Sequence, residues 1–139
     1  RKIIDILAVC FFWDYHKHMR SIKMLRYKLL SKLHRATVTE CDLNYNASIQ
    51  IDSELLKLSG MHEHERVEIW DVNNGARFST YIIAAAPGSR KISINGAAAR
   101  MVHTGDRIIV VNYGLMDEAE METYQPRIII LGEGNEPVK

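Results

Sequence analysis

A chain of 139 residues, 47% hydrophobic and 25% charged, has the size and balance of one globular domain able to bury a core. Its net charge of +1 excludes bulk attraction to nucleic acid as a basis for function, and two cysteines, Cys10 and Cys41, exclude a disulfide framework or a cysteine metal cage. The charge is uneven, since residues 1–23 carry +3 and the remainder −2, so the first stretch stands apart from the body.

Within residues 1–23, "IIDILAVCFFW" (3–13) is apolar, but Asp5 interrupts it and it falls short of the ~20 residues a membrane helix needs. Arg1 and Lys2 supply the basic start of a secretory signal, yet no small-residue cleavage site follows. The stretch reads as an extension outside the fold, leaving 24–139 as the domain, with no membrane partner and a reducing, cytoplasmic setting. From Met24 onward, alternation predicts strands over 24–30, 34–43 and 48–52. A helix follows over 53–60, with Asp52 or Ser53 as N-cap and Gly60 as its stop. Strands are predicted over 65–72, 77–86, 91–95 and 106–113, separated by the turn signals Asn74-Gly75, Pro87-Gly88 and Thr104-Gly105-Asp106. A second helix, 117–124, begins acidic and ends before Pro126; a strand at 127–131 precedes a tail, "GEGNEPVK", read as a frayed end. Many short strands with two short helices make the fold mainly β, a small closed barrel.

Four stretches carry chemistry-bearing residues. In "LNYNASIQID" (43–52), Ser48 stands between a turn and a strand, which on its own suits an ordinary turn serine. In "SKLHRATVT" (31–39), Lys32 and His34 share one face of a strand, as a solvated polar face would. In "NNGARFSTY" (73–81), Arg77 follows a tight turn, Thr80 suits a strand and Tyr81 suits a barrel aromatic. In "INGAAAR" (94–100), Asn95 precedes Gly96, Ala97 and Ala98, which are small enough to let the backbone approach a ligand closely. Tyr45 and Trp70 read as core aromatics. His62, His64 and His103 have no metal-ligand spacing, "HEH" reads as a solvated loop, and there is no glycine-rich phosphate loop.

Taken together, "KLHR", "NGARFSTY" (the family's NGxRFSTY) and "NGAAA", in this order and with Ser48 between the first two, resemble the pyruvoyl-dependent aspartate 1-decarboxylase family from Met24 to about Gly132. The resemblance implies a double-psi β-barrel assembled as a cytoplasmic homotetramer, with sites between subunits. It implies decarboxylation of L-aspartate to β-alanine and CO2 for pantothenate biosynthesis. The covalently bound pyruvoyl group would arise from Ser48: its hydroxyl attacks the Ala47 carbonyl, the peptide becomes an ester, and elimination and hydrolysis leave a ketone, splitting the chain between 47 and 48. The substrate amine would form a Schiff base with that ketone. By the same resemblance Thr80 polarises the Ala47 carbonyl, Tyr81 is the proton donor after CO2 leaves, and Arg77 clamps a substrate carboxylate with Lys32 near it. Asn95, Gly96, Ala97 and Ala98 face the pyruvoyl group or substrate; His34 lies at the site edge, and Tyr45 and Trp70 line the pocket. No metal is implied, and an accessory maturation factor is among the partners the resemblance allows. One departure stands out, because the family pair is Gly-Ser and this chain has Ala47-Ser48. An unprocessed, inactive precursor and a non-catalytic binding or regulatory barrel are the alternative readings.

Overall fold

The computed structural model describes residues 24–46 and 48–138. The extension 1–23 with Cys10, and the processing residue Ala47, lie outside the described residues. The elements run β1 (Arg26–Thr37), β2 (Glu40–Asp42), β3 (Ile49–Asp52), α1 (Ser53–Ser59), β4 (Arg66–Asp71), β5 (Arg77–Ala85), β6 (Ile92–Asn95), β7 (Arg107–Met116), α2 (Glu118–Thr123) and β8 (Arg127–Ile130). All eight strands join one mixed sheet in the order β2-β6-β3-β5-β4-β7-β1-β8. Three pairs are parallel, β1 with β8, β2 with β6 and β3 with β5, and each joins strands distant in sequence. This mainly β, interleaved arrangement with two short helices is that of the double-psi β-barrel.

Alternation decides which face is core. On β4, Val67 and Ile69 are buried while Arg66, Glu68 and Trp70 point outward. On β3 and β6, Ile49, Ile51, Ile92 and Ile94 are all fully buried, and they pack with Leu33, Ile82, Ile108 and Val110 in one core cluster. α1 closes the end of β3: the Asp52 side chain accepts the Glu54 N–H, Leu55 and Leu56 turn inward, and Gly60 ends the helix at φ 72, a left-handed angle that glycine adopts without steric cost. α2 opens with a reciprocal capping box between Asp117 and Glu120.

Three features depart from the sequence reading. The break between the runs 24–30 and 34–43 falls at 38–39 instead of 31–33, since β1 is continuous over twelve residues with register shifts that leave Arg35 at φ 65, and β2 takes only Glu40–Asp42. "GAAAR" folds into a single 3-10 turn, Gly96–Arg100. The tail is not frayed. Asn135 is 1% exposed, accepts the Thr37 N–H at 2.7 Å and donates to the carbonyls of Thr37 and Arg90 at 2.9 and 3.0 Å.

The strongest polar knot anchors the far end of β3. Asp52 is fully buried and accepts N–H bonds from Glu54, Gly88 and Arg90 at 2.8, 3.0 and 2.8 Å, and from the Arg90 guanidinium at 3.1 Å. That guanidinium also reaches Glu54 and Glu136. Burial pushes the Asp52 carboxyl up, but the three N–H donors and Arg90 outweigh it and hold it below the usual carboxylate range. Asp52→Asn leaves the guanidinium facing a neutral amide and costs about 3 kcal/mol at neutral pH, read by urea unfolding at fixed chain concentration. Because the folded-state pKa is depressed, this contribution is present above about pH 4 and is lost as pH falls through the folded value. The gap between wild type and Asp52→Asn narrows in acid; a gap that stays constant down to about pH 2 contradicts the ion-pair explanation.

Candidate active site

The pairing of β3 sets the first group of candidate residues. Ile49 pairs with Ile82 of β5 and with Ile94 of β6, so Ser48, immediately before it, enters between Tyr81 and Asn95. The contact is direct on one side: the Asn95 N–H donates to the Ser48 carbonyl at 2.8 Å. Asn95 is 2% exposed; its Oδ1 accepts from Ser93 Oγ at 2.9 Å, while its Nδ2 is buried and meets no acceptor among the described residues. A buried amide donor without a partner is costly unless something else accepts from it. Gly96 follows at φ 62, and a Cβ placed there would lie 3.9 Å from the Tyr45 carbonyl, so the turn before Ser48 runs close over the 3-10 turn. Ala98 is half-buried and Ala97 exposed at the same end.

On β5, Tyr81 is 45% exposed and Thr80 half-buried. Tyr81 occupies the register position beside Ser48, both one step outside the parallel ladder that starts at Ile49 and Ile82. Thr80 pairs with Val67 across β4.

The second group lies on the outward face of β5-β4-β7-β1. Arg77 pairs with Trp70, and its guanidinium sits 4.6 Å from the centre of the indole ring. The indole Nε1 donates to Glu68 at 3.2 Å. Lys32 pairs with Val111, which pairs with Glu68, which pairs with Ser79, so this row runs from Lys32 across the sheet to the residue between Arg77 and Tyr81 on the outward side of β5. Glu68 and Val111 of this row also line a cavity of about 450 Å3, together with Tyr27, Arg66 and Tyr113. Neither Lys32 nor Arg77 makes an ion pair among the described residues. His34, two residues from Lys32, has a buried Nδ1 without a partner; burial, with Lys32 and Arg35 adding to it, pulls its pKa below the usual value and keeps the ring neutral at pH 7.

Within one chain Ser48 and Lys32 stay apart. Four strand steps separate β3 from β1, which at the usual spacing is about 19 Å measured along the sheet. Ser48, Asn95 and Gly96 are brought together, with Tyr81 in register beside Ser48; Thr80, paired with inward-facing Val67, lies on the other side of β5, and Tyr81, paired with Arg66, shares the outward face with Lys32, His34, Trp70 and Arg77. Neither Tyr45, 50% exposed, nor Trp70, half-buried on the outer face, belongs to the core that their residue types suggested. No group of three or more potential metal ligands occurs among the described residues, and His62, His64 and His103 are exposed. No described helix is long and apolar enough to cross a membrane.

Sequence reasoning passed over Asp71. The signal was present: in "RVEIWD" the inward positions run Val67, Ile69, Asp71, which puts a carboxylate on a buried face.

Comparison with known proteins places these residues in context. A family model described as aspartate decarboxylase matches residues 24–138. Aspartate 1-decarboxylase of Methylibium petroleiphilum is 54% identical over 112 residues, covering 81% of this chain and 93% of the relative. The enzymes of the same name from Ralstonia nicotianae and Sulfurimonas denitrificans are 53% and 52% identical, covering 81% and 78% of this chain and 93% and 89% of those relatives.

Proposed function

The chain belongs to the aspartate decarboxylase family, and on that premise we propose that Ser48 is the residue converted to its pyruvoyl group and that the two groups of side chains described above divide the work. The activity is the decarboxylation of L-aspartate to β-alanine, with a serine-derived pyruvoyl group as cofactor. The observation that carries the assignment to Ser48 is its fixed carbonyl beside a buried, unpartnered Asn95 Nδ2. A ketone or carboxylate oxygen at this place gives that amide the acceptor it lacks.

Processing needs the Ser48 hydroxyl against the Ala47 carbonyl. Peptide resonance opposes the attack, so the main chain must be held and the carbonyl polarised. The Asn95 N–H fixes the chain on the C-terminal side of the bond. Thr80 takes the polarising role, its hydroxyl donating to the carbonyl oxygen as negative charge develops there. Ala47 in place of glycine costs about 1 kcal/mol where the turn visits left-handed backbone, and leaves both reacting atoms in place.

In turnover, the pyruvoyl group supplies an electron sink for the pair released when the bond to the α-carboxylate breaks. Arg77 holds a substrate carboxylate through its planar fork, stacked against Trp70, and Lys32 adds a second positive charge. Tyr81, whose phenol O–H is a proton donor, returns the proton to carbon. Asn95 and the Gly96–Ala98 backbone orient the substrate. His34, neutral beside Lys32, and Tyr45 border the pocket.

The distance between Ser48 and Lys32 within one chain supports assembly. Lys32, His34, Trp70 and Arg77 of one copy complete the Ser48 site of another, as in a homotetramer with sites between subunits. A cytoplasmic location accords with a substrate drawn from the free amino-acid pool, and a maturation factor would act on the Ala47-Ser48 step.

The test uses L-aspartate labelled in one carboxyl at a time. Label in the α-carboxylate leaves as CO2 and label in the β-carboxylate stays in β-alanine. Retention of both labels in a fully processed preparation contradicts this assignment, whereas retention with an uncleaved chain identifies the inactive precursor.

A further inference from the structure

Asp71 ends β4 on its inward side, only 3% exposed. Its Oδ1 accepts the Asn73 and Asn74 N–H groups at 2.7 and 3.3 Å, shaping the turn that leads into Arg77. Its Oδ2 is buried and meets no donor. The carboxyl faces that of Asp106, 14% exposed, whose Oδ2 accepts the His103 N–H at 2.7 Å. Two ionised carboxyls in contact repel, and burial disfavours the charge on Asp71. Among the described residues no Lys or Arg forms an ion pair with either carboxyl. The His103 ring lies 3.7 Å from Asp106 but is 86% exposed; Arg107 is linked to the turn through its N–H; Arg77 sits on the opposite, outer face over Trp70; and burial pushes the nearby Cys41 thiol up, so it stays neutral.

The turn is also tied to the segment that follows the Gly96–Arg100 turn. Asn74 Nδ2 donates to the Met101 carbonyl at 2.9 Å, the Arg107 N–H donates to Asn73 Oδ1 at 2.8 Å, and the Val72 N–H donates to the Arg107 carbonyl at 2.8 Å. The hairpin carrying Trp70 and Arg77 and the segment leading on from Asn95–Ala98 therefore meet at the Asp71–Asp106 contact.

We propose that Asp71 is a positioning residue: it holds a proton shared with Asp106, and the resulting O–H···O bond sets the hairpin that aims Arg77 at the substrate. The inference rests on the carboxylate-binding role given to Arg77 above. With the proton in place, Asp71 donates through its otherwise unpartnered oxygen and Asp106 accepts as an anion, the arrangement of a strong charge-assisted bond. Burial first, and then the Asp106 carboxyl, push Asp71 above the usual carboxylate range, against the turn N–H groups that pull it down. The folded chain thus keeps a proton that the unfolded chain releases near pH ~4. The contribution to stability is full below that pH and is lost as pH rises through the raised value.

Asp71→Asn replaces the shared proton with a permanent N–H donor of the same shape. The melting temperature of wild type falls relative to Asp71→Asn as pH rises from about 4 to about 9, and wild type shows a carboxylic-acid carbonyl band in the infrared at neutral pH that the variant lacks. In turnover, Asp106→Ala raises the KM for aspartate about tenfold, the loss expected from about 1.4 kcal/mol of misplaced Arg77 binding, with a smaller change in kcat. Asp106→Asn, which can still accept the proton, restores KM toward wild type. A melting difference that is flat with pH, together with no acid band, overturns the shared proton; an unchanged KM in Asp106→Ala overturns the positioning role. The melting and infrared measurements need no turnover, so their failure is distinguishable from failure of the decarboxylase assignment.

Discussion

Ser48→Ala yields a single uncleaved chain that releases no CO2 from aspartate above background. The effect is the largest available from one substitution, because the hydroxyl oxygen is both the nucleophile that opens the main chain and the precursor of the only electrophile the site has. What is lost is the full rate enhancement, on the order of a millionfold or more. The fold survives the change. Ser48 is half-buried, and its tie to Asn95 is made by its backbone carbonyl, which alanine retains. Unfolding free energy therefore shifts by no more than about 1 kcal/mol, which separates a dead site from a broken barrel. Intact mass and a CO2 assay on the same preparation check the result. CO2 release at the wild-type rate from Ser48→Ala would remove Ser48 from the chemistry.

Arg77→Ala raises the KM for aspartate by about a hundredfold, the equivalent of the 1.5–3 kcal/mol that a hydrogen bond to a charged group carries, with kcat lowered much less. The split follows from the role: a clamp on a carboxylate holds ground state and transition state alike, so its loss falls mainly on KM. Arg77→Lys recovers part of the loss by restoring charge, but not the planar fork or the stacking at 4.6 Å over Trp70. Stability changes little, since Arg77 is exposed and its contact with the ring contributes about 0.5–1 kcal/mol. Steady-state kinetics with thermal melting as control decide it. A KM within twofold of wild type, in a variant that still cleaves itself, assigns carboxylate binding elsewhere.

How far the sequence foretold this molecule depended on whether the information was local. Alternation in "RVEIWD" and "ISIN" placed β4 and β6 to within a residue, and Asp52, offered together with Ser53, and Gly60 marked the ends of α1 because capping is a contact between near neighbours. The bend in β1 was not legible, since Arg35 takes a positive φ that its residue type does not signal and that a register shift against β7 imposes. The ordered tail was hidden for the same reason: Asn135 is held by Thr37 and Arg90, far away in sequence, and a glycine-rich, charged stretch gives no local hint of it.

The site was legible in a different way. Ser48, Thr80 and Tyr81 are unremarkable in local chemistry, and only the order of the surrounding stretches singled them out. The separation of Ser48 from Lys32 could not be read at all, because it depends on the strand order β3-β5-β4-β7-β1, which puts three strands between them. Asp71 was missed although its inward position was readable, because an Asp before Asn-Asn-Gly is first seen as a turn former.

The most direct measurement is the intact mass of the purified chain, taken alongside its aspartate decarboxylase activity. The predicted spectrum holds two species divided after residue 47, the smaller ending in an ordinary carboxylate and the larger lighter by one ammonia than a fragment beginning with serine. A single full-length mass in a preparation that releases CO2 from aspartate would contradict Ser48 as the source of the reactive group.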